Sequence, residues 1–234
     1  KLDGKMSRIG GKVLELKKVY KSYDDLEILK GFDYTFKKGE RIGVLGKNGV
    51  GKSTFLNIIT GKEKADSGKV NLGDTIVYGY YTQTGLKLKE DKRVIDVLKD
   101  VAEVIQLADG SKLTASQFLQ FFLFPPDMQY NFVSQLSGGE RRRLHLLTVL
   151  IKNPNFLVLD EPTNDLDVNT MRALEEALLG FAGCAVVISH DRWFLDRIAT
   201  HILAFEGDSS AVFLEGNWTD YDEDRHRRLG DEAD

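Results

Sequence analysis

Gly46-Lys47-Asn48-Gly49-Val50-Gly51-Lys52-Ser53 is the stretch that decides the fold of this chain. It fits the pattern G-x-x-x-x-G-K-S/T without a gap. Residues 41–45 before it read as a buried strand, and residues 52–60 read as a helix. A glycine-rich turn there lets successive backbone N–H groups face phosphate oxygens, and the helix dipole adds to their field. We expect Lys52 to reach the outer phosphates and Ser53 to hold a magnesium ion. The alternative is a strand-to-helix turn that matches the pattern by chance.

Composition excludes several classes of protein. The chain has 234 residues, 42% hydrophobic and 29% charged, which fits a large globular domain or a core with subdomains. No apolar run approaches the roughly 20 residues of a membrane span. The single cysteine, Cys184, excludes an internal disulfide and suits a reducing compartment. A net charge of −4 argues against a wholly basic nucleic-acid module but leaves room for a local basic patch.

Hydrophobic patterning predicts an α/β protein with a mainly parallel sheet. Alternation over residues 13–18 and at Phe32, Tyr34 and Phe36 predicts an antiparallel sheet beside the parallel one. Ser67-Gly68 is expected to form a turn, and residues 76–81 a strand. From residue 156 onward, apolar strands and helices alternate, as in parallel βα units. The predicted strands there are 156–159, 184–189 and 201–205, and the predicted helices are 170–179 and 192–197. The polar tail 220–234 is expected to fray or to continue into a further segment.

A helical insertion interrupts this pattern between about residues 86 and 135. Apolar residues recur at helical spacing over 93–107, and a phenylalanine-rich helix is expected over 116–124. Pro125-Pro126 stops that second helix. We interpret its phenylalanines as core residues.

Two acids end an apolar strand at residues 156–161, Phe-Leu-Val-Leu-Asp-Glu. Parallel strands present such residues at the carboxyl edge of the sheet, where ligands bind. Asp160 is therefore expected to hold the magnesium shell through water, and Glu161 to polarise the water that attacks a γ-phosphate. The alternative is a strand that ends in a solvated acidic turn.

Four further features are each weak evidence when taken singly. Leu136-Ser137-Gly138-Gly139-Glu140 precedes a helix predicted over 140–151, where small residues admit an anion to the N–H groups, although Ser-Gly-Gly is also a plain capping turn. His190 follows an apolar strand and could align water at a γ-phosphate, whereas His145, His201 and His226 are interpreted as structural. Gln83 ends a strand and could contact both magnesium and water, and the ring of Tyr23 could stack on a nucleobase.

In this order the motifs resemble the ATP-binding cassette (ABC) superfamily over nearly the whole chain. The matching segments are the Walker A loop 46–53 with the adjoining Thr54, the Q-loop Gln83, the signature 136–140, Walker B 156–161, the D-loop 164–167 and the switch His190. The resemblance implies a P-loop NTPase ABC ATPase fold with a mainly parallel core sheet, an antiparallel β subdomain and an α-helical signature subdomain. It places the domain at 13–234, the helical subdomain at about 86–150, and a linker end at 1–12. Tyr23 matches the base-stacking aromatic, and the intact Glu161 implies hydrolysis.

The resemblance also implies a mechanism that needs a second ABC domain. ABC domains work as head-to-tail pairs, with ATP on the Walker A loop of one domain and under the signature of the other. Ser137, Gly138, Gly139 and Glu140 would then contact ATP in trans. The implied cofactors are ATP and Mg²⁺, with Ser53, Gln83 and Asp160 at the metal.

Two features resemble the ABC-F branch of this superfamily. Arginines follow the signature (Glu140-Arg141-Arg142-Arg143), where transporters often carry glutamines, and the D-loop is Asn164-Asp165-Leu166-Asp167. The tail around 189–196 is similar to the bacterial energy-dependent translational throttle subgroup. This implies a cytoplasmic ATPase acting on the ribosome, with rRNA and tRNA as partners and no membrane segment.

The sequence is also compatible with other functions. The chain could be the ATPase subunit of an ABC transporter. A DNA-repair or chromosome-organising ATPase is disfavoured because no long coiled-coil insertion divides the motifs. The Arg141–Arg143 run could face rRNA, or it could lie on a solvated or interface face of its helix.

Overall fold

The computed structural model describes residues 12–46, 49–82, 87–106, 111–206 and 211–230. The strands are β1 (Lys12–Tyr23), β2 (Leu26–Lys37), β3 (Arg41–Gly46), β4 (Ser67–Leu72), β5 (Tyr78–Tyr81), β6 (Val104–Gln106), β7 (Lys112–Thr114), β8 (Phe156–Asp160), β9 (Cys184–Ile188), β10 (His201–Phe205) and β11 (Ala211–Glu215). The helices are α1 (Gly49–Ile59), α2 (Val94–Val101), α3 (Ala115–Phe121), α4 (Pro126–Gln129), α5 (Gly138–Leu150), α6 (Val168–Leu179), α7 (Arg192–Ile198) and α8 (Trp218–Leu229), with a 3₁₀ turn at Val133–Gln135.

The chain divides into two compact units. Unit 1 contains the described residues of 77–183. Unit 2 contains those of 12–76 together with 184–230. The chain therefore leaves unit 2 once, forms unit 1, and returns at β9.

Unit 2 contains two sheets. The first is antiparallel, with β1 between β2 and β4, and its register pairs Leu16 with Tyr34 and Leu14 with Leu72. In the second, β3 lies between β9 and β10 and runs parallel to both, and β11 adds antiparallel to β10. All five residues of β9 are buried, as the apolar run predicted. The α/β class with an antiparallel subdomain is confirmed.

Unit 1 combines a parallel strand pair with a helical cluster. β5 and β8 are parallel, with Tyr81 opposite Leu159. The core under α2, α3 and α5 includes the buried phenylalanines Phe118, Phe122 and Phe124. Their burial matches the interpretation of these rings as core residues.

Several predicted elements differ in extent from the structure. The helix expected over 93–107 ends at Val101, because Ala102 is extended (φ −163°) and Val104–Gln106 pairs antiparallel with β7. That pairing places Ile105 opposite Leu113, and Ile105 is buried. The turn expected at Ser67-Gly68 is the start of β4, where Gly68 has φ +90°.

The segment from residue 218, expected to fray, is helical to Leu229. Asn217 and Asp220 form a capping box at its start. The Tyr221 hydroxyl donates to Glu206 at 2.6 Å, and Arg228 donates to the same carboxylate at 2.9 and 3.2 Å. These contacts hold α8 in place because both residues face the end of β10.

Over the described ranges, no helix combines the length and the apolar character that crossing a membrane requires.

Candidate nucleotide-binding site

The glycine-rich loop begins where β3 meets its neighbour most closely. Gly46 lies opposite Phe205 of β10, and a Cβ at Gly46 would approach the Phe205 carbonyl oxygen to 2.7 Å. A side chain there would push β3 from β10, so the position requires glycine. Lys47 and Asn48 lie outside the described residues, and for Gly49 and Val50 only the helical backbone is described.

The first turns of α1 combine a buried face with a polar one. Thr54 and Phe55 are buried, whereas Ser53 is exposed and Lys52 is half-buried. Within the described part of the chain, the Lys52 ammonium has no hydrogen bond or ion pair, and the first turn of α1 carries no acidic residue. The positive end of an 11-residue helix and one ammonium are thus available to an anion.

The two acids of unit 1 follow a fully buried strand. Residues 156–159 of β8 are buried, and Asp160 and Glu161 are half-buried. Asp160 lies close enough to Tyr80 of β5 to add to the effect of burial in raising the pKa of that tyrosine. Glu161 adopts a left-handed backbone with φ +51°. Such a conformation costs a non-glycine residue about 1 kcal/mol or more, and such strain clusters at functional sites.

The signature segment forms the start of α5. The Ser137 hydroxyl accepts from the Glu140 N–H at 3.1 Å, and the Glu140 carboxylate accepts from the Ser137 N–H at 2.8 Å. A Cβ at Gly138 would find only the Arg142 side chain, at 3.9 Å, and one at Gly139 only the Asp165 carbonyl oxygen, at 3.4 Å. Neither residue has a positive φ. Within the described residues, neither packing nor backbone conformation requires these two glycines.

His190 lies in a short turn between β9 and α7. Ser189 is buried, and its hydroxyl accepts from the Asp191 N–H at 3.0 Å. Asp191 caps α7 by accepting from the Phe194 N–H at 3.0 Å. These two bonds fix the backbone on the C-terminal side of His190. His190 itself is exposed.

Tyr23 ends β1 with 38% of its surface exposed, and the Lys21 ammonium lies 5.2 Å from its ring centroid. Lys21 is itself held by the Lys64 carbonyl at 2.9 Å and Asp66 at 3.3 Å. The ring is therefore positioned but open on one side. Gln83 lies outside the described residues.

The predicted site residues belong to both units. Unit 2 contains Tyr23, Gly46, Lys52, Ser53, Thr54 and His190, and unit 1 contains Asp160, Glu161 and the signature residues 137–140. In the described ranges, no group of three or more His, Cys, Asp or Glu side chains could hold a metal ion. The predicted hydroxyl and carboxylate donors are hard oxygens, which suit Mg²⁺ that keeps waters and phosphate oxygens in its shell.

Sequence reasoning left open the role of the Arg141–Arg143 run, and the structure assigns each arginine a contact within unit 1. Arg141 pairs with Glu90 at 2.5 Å, Arg142 with Asp165 at 3.2 Å and Arg143 with Asp167 at 3.6 Å. Arg143 is 8% exposed, donates to the carbonyls of Phe122 and Leu123, and lies 4.8 Å from the Phe124 ring centroid. The run connects α5 to the D-loop. Its one signal in the sequence is the alternation of acids at 165 and 167.

Fold and motifs together define an ATP-binding cassette domain. Residues 29–164 match the profile of the family described as ABC transporter, which is more than half of the chain. The chain belongs to this family.

Comparison with curated proteins shows which members of this family the chain is similar to. It is 44% identical over 217 residues to YfmR of Bacillus subtilis, an uncharacterized ABC transporter ATP-binding protein, covering 93% of this chain and 34% of YfmR. It is 43% identical over 226 residues to the energy-dependent translational throttle protein EttA of Haemophilus influenzae, covering 97% of this chain and 40% of EttA. EttA of Mycobacterium tuberculosis is 42% identical over 230 residues. The predicted similarity to the translational throttle subgroup is confirmed, and the chain spans about two fifths or less of these relatives.

Solved structures confirm the predicted fold. An ATP-binding subunit of an ABC transporter superposes with a TM-score of 0.67 at 19% identity, covering 93% of both chains. A dimeric ATP-binding cassette in a post-hydrolysis state bound to ADP and Pi gives 0.63 at 22% identity, covering 87% of this chain and 98% of that one.

Proposed function

We propose that this chain is a Mg²⁺-dependent ATPase domain that binds ATP on residues 46–54. The observation that carries the proposal is the start of α1, where the Lys52 ammonium has no partner within the described residues and no acid shares the first helical turn. Lys52 and the helix N–H groups would bind the phosphates, and Tyr23 would stack on the base. We propose residues 13–234 as one ABC ATPase domain and 1–12 as the end of a linker.

The hydrolytic roles fall to side chains at strand ends. Glu161 would accept the proton of the attacking water, while His190 and Gln83 would orient that water toward the γ-phosphate. Ser53, Asp160 and Gln83 would hold Mg²⁺, which when bound neutralises charge on the phosphate oxygens. The left-handed backbone of Glu161 supports this role, since such strain clusters at functional sites.

A head-to-tail pair with a second ABC domain would complete the site. Ser137, Gly138, Gly139 and Glu140 would cover the ATP of the partner domain, with the α5 N–H groups facing its γ-phosphate. The two glycines support this role because nothing described within the chain requires them. A small residue there would instead let an outside group approach the helix backbone.

Glu161→Gln tests the hydrolytic proposal. The variant should bind ATP as the parent does, turn it over at least about a hundredfold more slowly, and accumulate as ATP-bound pairs in size-exclusion chromatography. Glu176→Gln, an exposed glutamate of α6, is the matched control and should behave as the parent. Turnover by Glu161→Gln at the parental rate would show that Glu161 is not the base.

For the whole protein we propose a cytoplasmic ABC-F ATPase that acts on the ribosome, with rRNA and tRNA among its contacts. The support is the similarity to EttA, whose name states an energy-dependent action on translation. The alternative is the ATPase subunit of an ABC transporter, favoured by the description of YfmR. The full-length protein carrying Glu161→Gln should co-sediment with ribosomes in ATP. Absence of the protein from the ribosomal pellet, with ATP binding intact, would favour the alternative.

A further inference from the structure

A basic cleft of about 330 Å³ lies on unit 1, and none of its lining residues is a predicted site residue. Its walls come from α2, from α5 and from the segment that precedes α2. Four lysines line it, Lys87, Lys89, Lys92 and Lys152, together with Asp100 and His145. We call this feature the lysine cleft.

Three of the four lysines in the lysine cleft have no ion pair with a described residue. Lys92 forms an ion pair with Asp100, the one carboxylate among the lining residues described. Lys87, Lys89 and Lys152 are exposed, and over the described ranges their ammonium groups have no hydrogen bond or ion pair. Glu90, which lies within the same segment, is engaged by Arg141 at 2.5 Å. Three lining lysines therefore have no ion pair with a described residue, while the acids Asp91, Asp96 and Asp100 act on Lys92.

His145 adds a polar group to the cleft. Burial lowers the pKa of His145, and the charge of Lys152 lowers it further, although a backbone hydrogen bond at Thr82 opposes both. The His145 ring lies 5.0 Å from the Tyr81 ring, centroid to centroid. The cleft thus combines exposed lysines with a half-buried imidazole.

We propose that the lysine cleft binds the phosphodiester backbone of RNA. Unpaired lysines are compact point charges on flexible stems, which suit phosphates whose spacing varies and whose bases are not read. The neighbouring arginine run does not compete for this role, because its three guanidiniums already contact groups of unit 1. The choice of RNA as the polyanion rests on the proposed action in translation.

The overall charge makes the prediction specific. Because the chain has a net charge of −4, its overall charge does not attract nucleic acid, and RNA affinity would have to come from a local patch. It must also fall steeply with salt, because bound phosphates release their counterions.

The test measures binding of a short fluorescein-labelled RNA hairpin by anisotropy across a salt series. The variant Lys87→Gln/Lys89→Gln/Lys152→Gln should bind at least about tenfold more weakly, and the slope of log affinity against log salt should fall by about two. The matched control Lys30→Gln/Lys38→Gln/Lys69→Gln removes three exposed lysines from unit 2 and should stay within about twofold of the parent.

ATP binding is measured for the parent, the cleft variant and the control variant, so that failure of this inference can be told from failure of the proposed function. If the parent did not bind ATP, only the ATPase proposal would be overturned. RNA binding at the lysine cleft would be overturned if the cleft variant bound RNA as tightly as the parent, or if the control variant lost as much affinity. It would also be overturned if polyglutamate competed as effectively as unlabelled RNA.

Discussion

The Arg142 guanidinium lies 3.2 Å from the Asp165 carboxylate, so a residue of the signature helix pairs with a residue of the D-loop. Asp165 has a left-handed backbone (φ +61°), and the next arginine, Arg143, reaches Asp167 in the same loop. Backbone donation from Thr170, followed by weaker effects that include the charge of Arg143, lowers the pKa of Asp167. Two ion pairs thus connect the signature helix α5 to the D-loop at residues 164–167.

The two arginines should differ in their effect on stability. Arg143→Ala should lower the free energy of unfolding by about 2–4 kcal/mol, because it leaves the buried carbonyl of Phe122 and the part-buried carbonyl of Leu123 without that donor. Arg142→Ala removes a solvent-screened pair and should cost less than about 1 kcal/mol. Urea unfolding measures both, and equal losses would contradict the assignment of Arg143 as the buried anchor.

Substitution of the signature glycines should reduce activity without reducing stability. Gly138→Ala and Gly139→Ala should leave the melting temperature unchanged or raise it, since alanine is favoured in helices by up to about 1 kcal/mol and, outside the chain neighbours and the helix's own backbone, no contact of the added Cβ would be closer than 3.4 Å. The same changes should weaken ATP-dependent pairing of a Glu161→Gln background at least about tenfold, as measured by light scattering. Undiminished pairing would remove the support for a role in trans.

Gly68 and Gly39 allow a matched test of backbone strain against steric clash. Both have positive φ, +90° and +83°, but a Cβ at Gly68 would lie 2.2 Å from the Lys18 carbonyl oxygen, whereas one at Gly39 meets nothing within 4 Å. Gly39→Ala should cost about 1 kcal/mol from strain alone. Gly68→Ala should cost more than about 3 kcal/mol or prevent β1 and β4 from pairing. Similar unfolding midpoints for the two variants would exclude the clash as the dominant effect.

Alkaline pH should destabilise the fold through buried tyrosines. Burial raises the pKa of Tyr78 to about 12, while its value in the unfolded chain is near 10. The folded state therefore keeps a proton that the unfolded state loses, so this stabilisation is complete below pH 10 and disappears as pH rises toward 12. The urea midpoint should fall over this range, and Tyr78→Phe should show a smaller fall. An identical pH dependence in the variant would mean that Tyr78 does not contribute.

The sequence predicted the motif-bearing elements well, because their signals are local. A phosphate loop, a buried strand that ends in two acids and a Ser-Gly-Gly turn each specify a short stretch of backbone by their own residues. The helix expected over 93–107 was wrong beyond Val101, since Val104–Gln106 forms a strand only because residues 112–114 pair with it. Helical periodicity cannot register a partner that lies further along the chain.

The sequence alone therefore determined the α/β class, the ABC family and the chemical groups available for binding phosphate. The tertiary structure decided which charged side chains form ion pairs and which remain available to bind a partner. It pairs Arg141, Arg142 and Arg143 with acids distant in sequence, and it leaves Lys87, Lys89 and Lys152 around one cleft without such partners in the described ranges. The physical reason is that a charge pattern records only which ions a chain carries. Whether an ion is neutralised depends on separations in space that folding alone establishes.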